Sequence, residues 1–370
     1  MKFSCLYAVK TLFCLSLIFS VQWVYCDFSL KDKIGQMMMV GVRETEVEGM
    51  CGDVKRQIIQ GDIGGVVFFS RNIKNKLQFS RFINGIRNIN SKYPLFMAVD
   101  QEGGRVSRFS DKNGFRNFVS AEDVALSKTV DQAFVYYKDM ADILNDVGIN
   151  LNLAPICDVN INPNSPAIGK RGRSFSSNPN IVAKYAYAFI KAHQAKGVLT
   201  VLKHYPGHGS AQGDTHKGLT DVTDTWKEIE VIPFEELIKT GCVDMVMASH
   251  IVDRSVDSFF PACLSYAHIN ENLRGKIGYD GVVITDDLQM SAIVNHYSFQ
   301  EVVINAVNAG VDILLFAHDS NLANKAIDII LGAVNKGEIE AKRIDESYQR
   351  IMKLKKKLIK KLGVNGFVRC

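Results

Sequence analysis

Short apolar runs alternate with helix-like segments along the chain from Phe28 onward. Each run is brief and rich in Val, Ile, Leu, Met and Phe, which is typical of strands buried on both faces. The pattern predicts eight such strands. They lie at residues 37–42, 65–69, 95–99, 150–154, 198–202, 243–249, 281–285 and 312–316.

The segments between the runs carry apolar residues at helical spacing. The clearest are residues 131–147, 181–195, 226–239, 299–309 and 322–336, and a closing helix is predicted from about residue 340 to about residue 362. Buried strands that alternate with helices indicate parallel strands covered on both faces. Eight such units predict an α/β fold of the TIM (β/α)8 barrel type.

The predicted organisation is one barrel domain, residues 27–370. No Pro-, Gly- or Ser-rich linker and no shift in composition divides this part of the chain. A doubly wound open sheet is the rival architecture, but no Gly-x-Gly-x-x-Gly motif follows the first run to support it.

Residues 1–26 differ in kind from the rest. Lys2 and Lys10 precede an apolar stretch at residues 12–21, and the segment ends before Asp27, a layout typical of a secretory signal peptide. We therefore predict an exported protein, periplasmic or secreted. A cytoplasmic location and an uncleaved N-terminal anchor are the alternatives.

The charge of the chain is mild. The formal net charge is +5 at pH 7, which is too small to indicate nucleic-acid binding. The basic run at residues 353–361 is interpreted as the solvated face of the closing helix. We expect a monomer, with no stable membrane association once the leader is removed.

Polar residues fall where predicted strands end. Asp100 follows the third strand, Lys203 and His204 end the fifth, and Asp286 ends the seventh. The carboxyl ends of barrel strands meet at one mouth, where barrel enzymes keep their active sites. Asp158 and His250 also fall at this end, where a structural role at the barrel rim is equally open to them.

The loop at residues 203–216 holds more titratable groups than a connection needs. Asp214 and His216 are two positions apart, so in an extended segment both side chains point the same way and the carboxylate orients the imidazole. The pair is a candidate general acid/base. Two alternatives remain: a plain surface loop, and a zinc site built from His204, His208, Asp214 and His216.

Asp286 would project from a rigid strand end into the mouth, where a carboxylate serves as a nucleophile, a base or a metal ligand. Asp287 points the other way by strand alternation and is expected to support the site or cap a helix. A carboxylate facing an Asp–His pair suits cleavage of a glycosidic bond. We then expect sugar hydroxyl and carbonyl groups to be bound by the side chains of Asp100, Arg108, Arg173, Lys203 and His204. Glu102 is expected to be a paired, structural carboxylate.

Four motifs together resemble glycoside hydrolase family 3. They are Asp100-Gln101-Glu102-Gly103-Gly104-Arg105-Val106, Arg173-Ser174-Phe175, Lys203-His204-Tyr205-Pro206-Gly207-His208-Gly209 with Asp214-Thr215-His216, and Thr285-Asp286-Asp287-Leu288-Gln289-Met290. They are most similar to those of the single-barrel bacterial β-N-acetylhexosaminidases of peptidoglycan recycling. The resemblance covers residues from about 30 to about 340.

The resemblance implies a retaining β-N-acetylglucosaminidase that needs no metal or cofactor. Asp286 would be the nucleophile and His216 the acid/base, with Asp214 as its partner. Asp100, Arg108, Arg173, Lys203 and His204 would bind the N-acetylglucosamine ring. The substrate would be a muropeptide-derived or chitin-derived saccharide.

Some points stay open at this level. The approach Lys170-Arg171-Gly172-Arg173 is longer than is usual in the family, so either Arg171 or Arg173 is the sugar ligand. The signal-like N-terminus departs from the cytoplasmic recycling enzymes. A phosphorylase, a zinc hydrolase and a saccharide-binding barrel without catalysis are the alternative functions.

Overall fold

The computed structural model describes residues 28–50 and 52–362, so the predicted signal peptide lies outside the described residues. Eight strands in the described range form one sheet, each within or close to a predicted apolar run. They are β1 (Met38–Gly41), β2 (Gly65–Phe68), β3 (Phe96–Val99), β4 (Leu151–Asn152), β5 (Leu199–Tyr205), β6 (Met245–Ala248), β7 (Val282–Thr285) and β8 (Leu314–Phe316).

The eight strands are parallel and follow one another around a closed barrel. β1 pairs with both β2 and β8, with Met39 opposite Gly65 and Leu315. The seam between β7 and β8 is closed by a parallel bridge between Ile284 and Ile313. All residues of these strands are buried, which explains their near-continuous apolar character. The predicted TIM barrel is confirmed.

Helices cover the outside of the barrel. In the described residues the α-helices are α1 (Leu30–Gln36), α2 (Gly52–Gln60), α3 (Lys76–Arg87), α4 (Ala121–Ser127), α5 (Val130–Val147), α6 (Pro179–Ala195), α7 (Ile232–Lys239), α8 (Ser291–Val294), α9 (Phe299–Ala309), α10 (Asn321–Lys336) and α11 (Ala341–Leu362). A π-helix, Ala267–Lys276, follows β6. None of the described helices has the length and apolar character needed to span a bilayer.

The helix predicted at residues 226–239 is shorter than expected. A 3₁₀-helix, Glu228–Glu230, precedes α7, which begins at Ile232 with Pro233 in its first turn. Proline lacks an N–H and its ring excludes a preceding helical turn, so it fits only at a helix start. The prediction missed this break because Pro233 lies inside an otherwise periodic apolar pattern.

The basic run of the closing helix is not uniformly solvated, so the interpretation of residues 353–361 as a solvated face is wrong at Lys355. This side chain is fully buried, and its Nζ donates to Gln36 Oε1 at 2.7 Å and to the Gly64 carbonyl at 2.8 Å. A lysine stem is long enough to carry the ammonium group to acceptors beneath the barrel. α11 thus closes the end of the barrel opposite the mouth.

A short parallel pair of strands lies outside the barrel sheet. Thr220–Asp221 pairs with Ile251–Val252, and the Val222 N–H donates to the Val252 carbonyl at 2.8 Å. This pair joins the segments that follow β5 and β6. It therefore fixes the far end of the loop that begins with Lys203 and His204.

Candidate active site

A buried ion network occupies the mouth between β3 and β5. Lys203 Nζ lies 2.9 Å from Asp100 Oδ1 and 2.7 Å from Glu102 Oε1. Arg108 binds the other oxygen of Asp100 at 3.2 Å. Arg173 binds Glu102 through two nitrogens, at 2.9 and 2.8 Å, so the expected pairing of Glu102 is present.

The network keeps its groups charged although they are withdrawn from water. Burial raises the pKa of Glu102, but Arg173 and Lys203 lower it far more, so the net pKa lies well below the usual range. The pKa of Asp100 is lowered in the same way by Lys203 and Arg108. Burial lowers the pKa of Lys203, yet Asp100 and Glu102 raise it above its ordinary value. The mouth thus presents fixed charges suited to binding sugar hydroxyl groups.

His204 is oriented by Asp158, which follows β4. Asp158 Oδ2 lies 2.7 Å from His204 Nδ1, and Oδ1 accepts the backbone N–H groups of His204 at 3.1 Å and His208 at 2.8 Å. Because a carboxylate accepts, Nδ1 carries the proton and Nε2 faces the mouth. Asp158 is therefore more than a rim cap, since it holds both the ring and the backbone of the loop.

Asp214 and His216 do pair, but not as an extended segment. Asp214 Oδ1 accepts from His216 Nδ1 at 2.8 Å and from the His216 backbone N–H at 3.1 Å, and the Lys217 N–H donates to the Asp214 carbonyl. The segment is a turn, so the geometry reasoned from strand alternation is wrong although the pairing is right. The Asp214 side chain is 3% exposed and that of His216 is 68% exposed.

The loop that carries this pair docks beside the segment after β7. The Ala292 N–H, at the start of α8, donates to the Thr215 carbonyl at 3.3 Å. Asp286 lies a few residues before α8. His216 is close enough to be among the groups that lower the pKa of Asp286.

Asp286 is half-buried among imidazoles. Burial raises its pKa, but His250, His204, the Asp287 N–H and His216 together lower it to about 2. Asp286 Oδ1 accepts that N–H at 2.8 Å. The carboxylate is thus ionised at neutral pH.

His250 supports the backbone at this point. Its Nε2 donates to the Asp287 carbonyl at 2.9 Å, so Nδ1 is the unprotonated nitrogen, and it faces the Cys263 thiol at 3.1 Å. Burial lowers the pKa of His250, which keeps it neutral at neutral pH, and raises the pKa of Cys263. The sequence carried no signal for this thiol partner.

Asp287 accepts hydrogen bonds from neighbouring backbone N–H groups. Its Oδ1 accepts the N–H groups of Gln289 at 3.1 Å and Ala317 at 3.0 Å, and Oδ2 lies 3.4 Å from His318. These contacts tie the end of β7 to the end of β8. The side chain is thus engaged with backbone groups between these two strand ends, and its expected supporting role stays a prediction.

The two arginines of the Lys170–Arg173 stretch have different partners. Arg173 lies in the ion network, with its Nη2 3.5 Å from His204 Nε2. Arg171 is on the side of the Asp214–His216 pair, where its Nη2 lies 3.4 Å from Asp214 Oδ2. Arg173 thus belongs to the ion network of the mouth, and Arg171 is a neighbour of Asp214.

The four candidate zinc ligands do not assemble into one site. Among the described residues, no three His, Cys, Asp or Glu side chains converge as a ligand set. His204 is held by Asp158, and Asp214 is held by His216. The buried ring of His208 lies with its centroid 6.0 Å from that of His204, and burial lowers the pKa of His208 to about 4.

Comparison with known protein families identifies the family to which the chain belongs. The protein-family model described as the glycosyl hydrolase family 3 N terminal domain matches residues 29–354 of this chain. The chain belongs to glycosyl hydrolase family 3. The family 3 resemblance drawn from its motifs is therefore confirmed.

Two relatives of the chain are named as β-hexosaminidases. A β-hexosaminidase from Tolumonas auensis is 38% identical over 283 residues, which cover 75% of this chain and 81% of that protein. The β-hexosaminidase A of Pseudoalteromonas piscicida is 34% identical over 334 residues, which cover 83% of this chain and 55% of that protein. The chain thus spans little more than half of this second relative.

A solved structure shows the same barrel. The family 3 β-N-acetylglucosaminidase from Paenibacillus sp. str. FPU-7 has a TM-score of 0.84 and 33% identity, over 92% of this chain and 65% of that one. The prediction of a family 3 glycoside hydrolase is confirmed at this level. The roles of single residues and the substrate stay predictions.

Proposed function

We propose that this chain is a retaining exo-β-N-acetylglucosaminidase that removes a terminal N-acetylglucosamine from muropeptide-derived or chitin-derived saccharides. The observation that carries the proposal is the 2.8 Å contact between the exposed His216 and the buried Asp214, on the loop beside the ionised Asp286. The names of the relatives, β-hexosaminidase and β-N-acetylglucosaminidase, support the substrate class. The predicted leader favours export of the protein.

In the first step of this mechanism, an oxygen of Asp286 attacks the anomeric carbon as the bond to the leaving oxygen breaks. His216 Nδ1 donates to Asp214, so Nε2 is the nitrogen that gives its proton to the leaving oxygen. A covalent glycosyl ester on Asp286 results. The charge on Asp214 stabilises the protonated imidazole that this step requires.

In the second step, neutral His216 takes a proton from water as the water attacks the anomeric carbon. The ester bond breaks and Asp286 leaves as a carboxylate, so the original configuration is restored. Asp100, Arg108, Arg173, Lys203 and His204 would hold the sugar ring during both steps. Their charges are already fixed by the network, which limits reorganisation during the reaction.

The direct test is hydrolysis of an aryl β-N-acetylglucosaminide. Asp286→Asn should lower kcat/KM at least about 10³-fold, because it removes the nucleophile. The matched control is Asp287→Asn, which should lose less, because the hydrogen bonds of Asp287 Oδ1 go to backbone N–H groups. Absence of turnover in the wild-type protein, or equal losses in both variants, contradicts the proposal.

His216→Ala tests the acid/base. It should lose about 10²- to 10⁴-fold on substrates with poor leaving groups, the usual contribution of a general acid. With a dinitrophenyl leaving group and added azide, turnover should recover and yield the β-glycosyl azide, because azide needs no base. Failure of azide to restore turnover argues against this role.

Product analysis with and without inorganic phosphate separates hydrolysis from phosphorolysis. We expect free N-acetylglucosamine under both conditions, first released as the β-anomer. A sugar phosphate as the main product would replace the proposed hydrolase by a phosphorylase. Treatment with EDTA should leave the rate unchanged.

A further inference from the structure

The loop between β5 and the Asp214–His216 pair rests on a buried carboxylate, Glu230. This residue ends the 3₁₀-helix Glu228–Glu230 and is fully buried. Its Oε2 accepts the backbone N–H of Gly209 at 2.9 Å and that of Ser210 at 3.1 Å. Its Oε1 accepts the N–H of Lys227 at 3.4 Å, a longer contact at the start of its own helix.

The loop is packed against Glu230 as closely as glycine allows. A Cβ atom on Gly207 would lie 2.6 Å from the Cβ of Glu230. On the opposite side, a Cβ on Gly209 would lie 1.7 Å from the Val159 carbonyl oxygen. Residues 207–209 are therefore wedged between the segment after β4 and Glu230, and only glycine fits these two positions.

The charge of Glu230 is balanced by no cation of the described residues. Among the described residues no lysine, arginine or histidine forms an ion pair with it, and the charge that acts on it most is that of Asp158, which repels it. Burial raises the pKa of Glu230 to about 7, although its bonds to Ser210 and Lys227 lower it. An uncompensated buried carboxylate is costly, so its backbone bonds must offset much of that cost.

Two carboxylates thus accept hydrogen bonds from the backbone of one loop. Asp158 holds the N–H groups of His204 and His208, and Glu230 holds the next two along the chain. His216 itself is largely exposed and has Asp214 as its side-chain partner. The position of its imidazole therefore depends on the backbone that leads to it.

We propose that Glu230 is a positioning residue for the acid/base pair, which it holds in register with Asp286 by binding the backbone of Gly209 and Ser210. This inference rests on the proposed function for the roles of His216 and Asp286. It assigns Glu230 no contact with substrate. Its effect reaches the reaction through the loop.

The test compares Glu230→Gln with Glu228→Gln, an exposed carboxylate on the same 3₁₀-helix. The amide that replaces the buried carboxylate is a weaker acceptor, so the loop should loosen while the fold is kept. For a substrate with a poor leaving group, kcat/KM should fall about 10- to 100-fold, the loss expected from a displaced catalytic group. For the dinitrophenyl substrate, whose departure needs no proton, kcat/KM should change less than about threefold.

The same variants are measured by hydrogen exchange, which does not depend on activity. Amides in residues 204–216 should exchange faster in Glu230→Gln than in the wild type, and those of Glu228→Gln should not. Equal kinetic losses on both substrates, or unchanged exchange in the loop, would overturn the inference. If the wild type hydrolyses neither substrate, the proposed function fails, and the exchange data still decide whether Glu230 holds the loop.

A Glu230→Ala variant extends the series. It removes both acceptors, so its loss on the poor leaving group should exceed that of Glu230→Gln. A smaller loss in Glu230→Ala than in Glu230→Gln contradicts the inference. If Glu230→Ala does not fold, Glu230→Gln alone carries the test.

Discussion

At the scale of residues, the charge state of Asp286 is set by its surroundings. A half-buried carboxylate on its own would take up a proton more readily than one in water. Here the imidazoles and the Asp287 N–H reverse that tendency and lower the pKa to about 2. The proposed nucleophile is therefore ionised at neutral pH.

Asp286 should therefore not titrate between pH 4 and pH 8. The check is carboxyl ¹³C NMR of protein labelled at aspartate, with the signal assigned by its loss in Asp286→Asn. A midpoint above pH 4 for this signal contradicts the prediction. Asp287, whose pKa is raised by burial, should titrate at higher pH than Asp286 in the same spectra.

The two arginines before Ser174 should differ in their effect on stability. Arg173→Met leaves Glu102 buried with Lys203 as its remaining cation, so the free energy of unfolding should fall by about 3 to 5 kcal/mol. Arg171→Met removes a 3.4 Å contact from a side chain that is 41% exposed, so the loss should stay under about 1 kcal/mol. Urea unfolding measures both, and similar losses contradict this division.

At the scale of elements, a buried histidine joins α6 to the barrel wall. His193 Nδ1 donates to the Phe189 carbonyl at 2.9 Å, and Nε2 lies 3.1 Å from the amide nitrogen of Asn152 on β4, from which it accepts. Burial lowers the pKa of His193 to about 4, so it stays neutral in the folded protein while the unfolded chain takes up a proton near pH 6.5.

This difference gives a signed pH dependence. The stabilisation that depends on neutral His193 is complete above about pH 6.5 and is lost as the pH falls toward about 4, by roughly 3 kcal/mol. We compare unfolding free energies of the wild type and His193→Gln from pH 7 to pH 4. The advantage of the wild type should shrink across this range, because the other buried histidines are common to both. A constant difference contradicts the prediction.

At the scale of the whole molecule, one carboxylate ties the barrel to its closing helix. Asp312 begins the last predicted strand and is fully buried, with Arg274, Arg343 and Arg350 at 2.8, 2.8 and 3.3 Å. Two of these arginines come from α11. Burial raises the pKa of Asp312, but the three arginines lower it below the ordinary value, so the charge is kept.

Asp312→Asn should lower the free energy of unfolding by about 3 to 5 kcal/mol, because it leaves three guanidinium groups without their buried anion. Asp280→Asn is the matched control, since Asp280 is an exposed partner of Arg350 at 3.2 Å. Its loss should stay within about 1 kcal/mol. Equal decreases in the free energy of unfolding, measured with urea, would show that the buried Asp312 contributes no more to stability than the exposed Asp280.

The barrel and the order of its active-site segments were predictable from the sequence. A strand buried on both faces must be apolar throughout, so each of the eight strands appeared as a short apolar run. Once the strands were counted, closure placed Asp100, His204 and Asp286 at one end. These inferences need only local periodicity and the chirality of parallel connections.

The tertiary structure alone decided which distant residues pair with one another. Nothing local distinguishes Glu230 from the exposed Glu228 beside it, or Lys355 from the exposed lysines around it, because burial depends on which neighbours the fold brings into contact. The same holds for the turn at Asp214 and for the division between Arg171 and Arg173. The sequence by itself determined the elements and their order, whereas contacts across the barrel determined the charge and partner of each group.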